Sequence, residues 1–130
     1  MSDLAQIKAA ARKAAFARRK PLFAQATAAQ AGYLSEVLAG YRGVPVSGYM
    51  PIRTEIDPLP AMAAASAHGP VGVPVIEAAD TPLRFAQWTP ETVMVPGPFG
   101  ASVPQELCFF EPEIVIVPLL AYTKSGGRLG

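Results

Sequence analysis

The sequence predicts an α/β protein, with helices packed on a partly parallel sheet. Two observations carry that prediction. Two early strand-like runs, Val44–Met50 and Val71–Ile76, are separated by the alanine-rich helical stretch Leu59–His68, an order that suggests parallel strands joined by a helix. Further on, Glu113–Tyr122 is apolar enough for burial on both faces of a sheet, with Ile114–Leu119 as its deepest strand.

The elements follow in order. Residues 3–20 are alanine-rich, with Leu4, Ile7, Ala11 and Ala14 at helical spacing and Asp3 near the start. Pro21 ends this helix or opens a new first turn. A second helix is expected over residues 22–40, with Phe23, Ala26, Ala29, Tyr33 and Val37 on one stripe and Gly40 near the stop. Pro45 favours the beginning of the first strand or a sheet edge. Residues 51–57 form a loop, Leu83–Trp88 alternates as a further strand, and Pro96–Gly100 is irregular by chemistry. Ser125–Gly130 reads as a flexible, glycine-rich segment with one fixed positive charge on Arg128, and a disordered tail is its default.

A chain of 130 residues suits a single domain. The one cysteine, Cys108, excludes an intramolecular disulfide framework. It sits in the run Leu107–Phe110 and is expected to be an inert buried thiol. No run of about 18 apolar residues exists, so no membrane span is expected. The start lacks the basic-then-apolar pattern of a secretory signal, which points to the cytoplasm. His68 reads as a surface residue after its helix, and no cluster of metal-ligand side chains is expected in the chain. The net charge of +1 hides an asymmetry. Six cations against Asp3 alone give residues 1–20 a net +5, leaving −4 for the rest. Charge concentrated on one helix indicates a local anion site or a solvated face, not a chain-wide nucleic-acid surface.

Four constellations bear chemistry. Lys8 and Arg12 lie one turn apart on one helix face, with Arg18 flanking at about 80° in azimuth. They are either a solubilising face or a phosphate clamp. Tyr49–Asp57 leaves a strand, turns at Pro51 and reaches two carboxylates. Asp57 has the position of a cap for the helix that follows, whereas Glu55 is not needed there and is free to bind a heterocycle through ring N–H and amine groups. Phe85 and Trp88, with the bend Pro96–Gly100 that carries Phe99 and Gly100, are either core or the floor of a pocket for a flat ligand. Gly126–Gly130 is weak alone, although glycine-rich segments at strand ends approach phosphates closely.

Taken together, these pieces resemble the 5-formyltetrahydrofolate cyclo-ligase (methenyltetrahydrofolate synthetase) family. The resemblance rests on Lys8, Arg12 and Arg18 in the opening helix and on Tyr49 with Glu55-Ile56-Asp57. It continues through Leu83, Phe85 and Trp88, then Gly97-Pro-Phe-Gly100, then Val117-Pro-Leu-Leu-Ala-Tyr122, and ends with Arg128-Leu-Gly130. It spans nearly the whole chain. The family continues with further glycines and a Tyr-Tyr-Asp, so the resemblance implies one cyclo-ligase-like domain over 1–130 that lacks the C-terminal third. Val103 and Thr123 stand where the family often has acidic residues. The implied fold is a Rossmann-like three-layer sandwich, incomplete at the C-terminus. The implied activity is ATP- and Mg2+-dependent closure of 5-formyltetrahydrofolate to 5,10-methenyltetrahydrofolate with release of ADP and phosphate, and little turnover is expected of this chain. ATP would be bound by Lys8, Ala9, Ala10, Ala11 and Arg12 and by Arg128, Leu129 and Gly130, and the folate by Met50 and Glu55. Tyr49, Trp88, Phe99 and Gly100 would border the pocket. No metal ligand, nucleic acid, membrane or protein partner is implied. The alternatives are a non-catalytic nucleotide- or partner-binding domain of the same fold and another α/β enzyme acting on a phosphorylated sugar or coenzyme A.

Overall fold

A computed structural model of the chain describes residues 3–25 and 28–130. The first helix, α1 (Asp3–Ala24), continues through Pro21 instead of stopping there. A proline in the last turn forfeits one backbone donor, and the alanine-rich segment ahead of it supplies enough helical preference to carry on. Ala15 is the buried residue of α1, while Leu4 and Ile7, expected on an inner stripe, face solvent. The second helix, α2, spans Ala28–Ala39. Tyr33 and Val37 lie on its outer side, and Leu34 and Leu38, one turn apart, make the inner contact. Ala26 and the side chain of Ala29 lie outside what is described. The third helix, α3 (Leu59–Ser66), packs against α2 and begins where Asp57 Oδ1 accepts a hydrogen bond from the Leu59 N–H at 2.9 Å. Asp57 is thus occupied by the helix start, the simpler of its two readings.

Five strands form one mixed sheet in the order β6-β3-β2-β1-β7. These are β1 (Val46–Ser47), β2 (Val71–Val75), β3 (Arg84–Gln87), β6 (Phe109–Phe110) and β7 (Ile114–Val115). β1 pairs in parallel with both β2 and β7, and α3 makes the crossover from β1 to β2. β3 and β6 continue antiparallel. Pro45 precedes β1, where its missing donor costs no ladder bond and its carbonyl accepts from the Glu113 and Ile114 N–H groups. Alternation decides the faces. Val46, Val71, Val73 and Trp88 join Leu38, Ala61 and Met62 in one buried cluster beneath α2 and α3. Ser47, Gly72, Pro74, Phe85 and Phe110 occupy register positions on the opposite face.

Three expectations need correcting. The apolar run after Glu113 is not the deepest strand: β7 is only two residues long, lies at a sheet edge, and leaves Val115 and Val117 about half exposed (46% and 50%). A run that is apolar at every position cannot report which face a neighbour covers. Cys108 is exposed rather than buried. Its carbonyl accepts from the Gln87 N–H at 2.8 Å, and the residue lies outside the core. The terminal glycine-rich segment is a hairpin, in which β8 (Ala121–Tyr122) pairs antiparallel with β9 (Arg128–Leu129). Gly126 at φ 101° turns the chain, and the Thr123 hydroxyl takes up the Gly127 N–H at 2.9 Å.

Candidate ligand-binding site

The carboxyl ends of the three parallel strands open into a cavity of about 260 Å3. Gly48, Tyr49 and Met50 come from beyond β1, Ile76 from beyond β2, and Ile116 and Val117 from beyond β7. Phe85 contributes from β3. Open α/β sheets bind ligands at this end, where loops diverge from a rigid frame. The far wall comes from the connection between β4 (Met94–Val95) and β5 (Val103–Pro104), a two-stranded ribbon. Two glycines shape that connection. A Cβ at Gly97 would lie 2.2 Å from the Ala101 carbonyl oxygen, and Gly100 holds φ at 95°, which glycine adopts without strain. Together they turn the backbone so that Phe99 borders the cavity, and Gly100 acts through the turn without lining the wall.

Among the described lining residues, Glu55 is the one carboxylate, set in an otherwise apolar and aromatic wall. Its turn is held locally at several points. Glu55 Oε1 accepts from the Ile52 N–H at 2.8 Å, and the Glu55 N–H donates to the Ile52 carbonyl at 3.2 Å. Arg53 between them takes a left-handed conformation, φ 56°, unfavourable for a side chain larger than glycine. The Tyr49 hydroxyl donates to the Ile56 carbonyl at 2.6 Å, and Arg19 Nε on α1 donates to Thr54 Oγ1 at 2.7 Å. Burial pushes the Tyr49 phenol above its ordinary value, the Glu55 and Asp57 carboxylates push it further, and Arg19 opposes them.

The structure therefore brings Tyr49, Met50, Glu55 and Phe99 to one cavity. Trp88 lies in the helix-side core, 7% exposed, and does not line it. Lys8, Ala9, Ala10, Ala11 and Arg12 are exposed on α1. Among the described residues no carboxylate forms an ion pair with Lys8 or Arg12, whereas Arg84 and Glu77 do pair at 2.8 Å. Arg128 is exposed on β9 with Nη2 donating to the Gly130 carbonyl at 2.5 Å, and Leu129 pairs with Ala121. None of these α1 and β9 residues lines the cavity. Sequence reasoning missed Arg19 and Thr54. The available signal was spacing: Arg19 follows Arg12 by seven residues and Lys8 by eleven, so the three share one side of a helix, whereas Arg18 falls away from it.

No protein-family model matches the sequence, and no curated protein matches it. Among solved structures, the NMR structure of the Aquifex aeolicus 5,10-methenyltetrahydrofolate synthetase superposes with a TM-score of 0.70 at 21% identity. The match covers 95% of this chain and 66% of that one, so the chain spans just under two-thirds of its neighbour's length. Over that shared length, this chain has the α/β fold of a methenyltetrahydrofolate synthetase.

Proposed function

We propose that residues 1–130 form one domain of an ATP-dependent ligase that closes 5-formyltetrahydrofolate to 5,10-methenyltetrahydrofolate, releasing ADP and phosphate. The supporting observation is the placement of Glu55, a lone carboxylate in an apolar and aromatic cavity at the carboxyl ends of parallel strands, in a fold shared with such a synthetase. An acidic group in such a wall suits an amino-heterocycle. It accepts from ring N–H and amine donors together, while Tyr49, Met50 and Phe99 offer surfaces for a flat ring and exclude water.

ATP supplies phosphoryl activation of a poor electrophile, a chemistry that asks the protein mainly for positioning and charge neutralisation. Lys8 and Arg12 fit its phosphates, being exposed cations one turn apart with no paired carboxylate among the described residues. Arg128 would add a third cation from β9. Among the described residues no group of three or more His, Cys, Asp or Glu side chains converges, so Mg2+ has no preformed cage and no step is assigned through it. No described helix is long and apolar enough to cross a membrane.

The test uses separated binding measurements. Glu55→Ala is expected to weaken binding of 5-formyltetrahydrofolate at least about tenfold while sparing MgATP, and Lys8→Ala with Arg12→Ala to do the reverse. Retention of folate affinity by Glu55→Ala would sink the pterin-reading role. A non-catalytic nucleotide- or partner-binding role is the second reading, favoured by the exposure of Lys8 and Arg12 on α1, outside the cavity lining. It expects nucleotide binding without any contribution from Glu55.

A further inference from the structure

We infer that Arg19 is a positioning residue: its bond to Thr54 docks α1 on the turn that carries Glu55, and so sets where Lys8 and Arg12 stand relative to the cavity. This rests on the reading of α1 as the phosphate-binding element. Three observations carry it. Arg19 Nε donates to Thr54 Oγ1 at 2.7 Å, a contact between residues 35 apart in sequence and immediately before Glu55. Phe16, one turn earlier, lies under the same guanidinium, 5.0 Å from ring centroid to Cζ, and restricts its rotation. Ala15 is the buried residue of α1, so the helix touches the body over a short stretch around residues 15–19 and projects from it.

Geometry makes that stretch decisive. On an ideal helix Lys8, Arg12 and Arg19 fall within about 40° of one another, on the side from which Arg19 reaches Thr54. Arg12 lies about 10 Å and Lys8 about 16 Å along the axis from Arg19. A swing of about 10° about the docking point therefore moves Lys8 by about 3 Å, a full hydrogen-bond length. The other end of the latch is equally well held. The turn that presents Thr54 is closed by the backbone bond from the Glu55 N–H to the Ile52 carbonyl at 3.2 Å, which does not depend on the Glu55 side chain, so fixing Thr54 fixes this turn and α1 in one frame. The Nε bond also leaves the two terminal guanidinium nitrogens without an ion-pair partner among the described residues.

The experiment measures MgATP and 5-formyltetrahydrofolate affinities separately for Arg19→Ala, Thr54→Val, the double variant and Thr54→Ser. Arg19→Ala and Thr54→Val should each weaken MgATP binding about tenfold, equivalent to about 1.4 kcal/mol. The double variant should be no worse than either single one, because one bond is removed in each case. Thr54→Ser, which keeps the hydroxyl, should restore binding, and folate affinity should stay within about twofold throughout. Thr54 Oγ1 accepts the Arg19 Nε bond, and Thr54→Val removes that bond without removing a cation from the phosphate-binding face. Unchanged MgATP affinity in both single variants, with Lys8→Ala plus Arg12→Ala still weakening it, overturns the positioning role and leaves the proposed function standing. Equal loss of both ligands overturns it in favour of a purely structural bond. If Lys8→Ala with Arg12→Ala has no effect, the phosphate reading of α1 fails and this inference falls with it.

Discussion

Replacing Tyr49 with phenylalanine removes one oxygen from a residue that is 9% exposed and deletes the 2.6 Å bond to the Ile56 carbonyl. A neutral intramolecular hydrogen bond contributes about 0.5–1.5 kcal/mol net, and stranding a buried acceptor adds about 1–3 kcal/mol. Ile56 is an exposed residue, so water can reach its carbonyl and the second cost largely disappears. The expected loss is therefore about 1 kcal/mol, a shift of about 0.5 M in a urea midpoint at constant slope. The phenol also makes stability depend on pH. Its native pKa is raised above the ordinary 10.0, so the folded protein holds the proton more tightly than the unfolded chain. That contribution is complete below about pH 10 and is lost as pH climbs through the native value. Urea titrations at rising alkaline pH should thus show wild-type stability falling more steeply than that of Tyr49→Phe, with the two curves converging. Parallel curves would refute the coupling between Tyr49 burial and the Glu55 turn.

Other perturbations separate effects that look alike on paper. At Gly72 a Cβ would lie 2.2 Å from the Phe110 ring and 2.4 Å from the Ala86 carbonyl oxygen, which belongs to the paired strand and cannot withdraw without breaking the ladder. Gly72→Ala should cost about 2–3 kcal/mol by thermal or urea unfolding. Gly32 in α2 has open space around a Cβ, so Gly32→Ala should stabilise by about 0.5–1 kcal/mol. Opposite signs at the two sites are the expected outcome. Arg84 pairs with Glu77 while lying 3.5 Å over the Phe109 ring, both partners being about half exposed. Glu77→Ala should cost under about 0.5 kcal/mol and Arg84→Ala measurably more, because only the second loses the ring contact.

How far the site could be read in advance varied from residue to residue. Asp57 was legible because its bond to the Leu59 N–H at the start of α3 is local chemistry, decided by neighbours in the chain, although Pro58 and not Asp57 holds the N-cap position. The bend at Gly97–Gly100 was legible as irregular for the same reason. For Arg19 the shared helix side with Lys8 and Arg12 was legible in the spacing, but its partner was not, because Thr54 is 35 residues away. Trp88 followed the same rule: alternation announced a strand, but whether residue 88 faced helices or cavity depended on which side α3 packed. Cys108, read as buried from its apolar neighbours, proved exposed because short edge segments cover only one face.

By itself the sequence determined that three helices and the strands β1, β2 and β3 form in this chain order, that Asp57 serves the start of α3, and that charge concentrates near the N-terminus, because these depend on local preference and period. Tertiary structure alone decided that β1 lies inside the sheet with β7 at its edge, that the terminal glycines close a hairpin, and that Arg19 touches the Glu55 turn. Pairing and docking choose among surfaces that are equally apolar or equally charged along the chain, and only the packed arrangement breaks that tie.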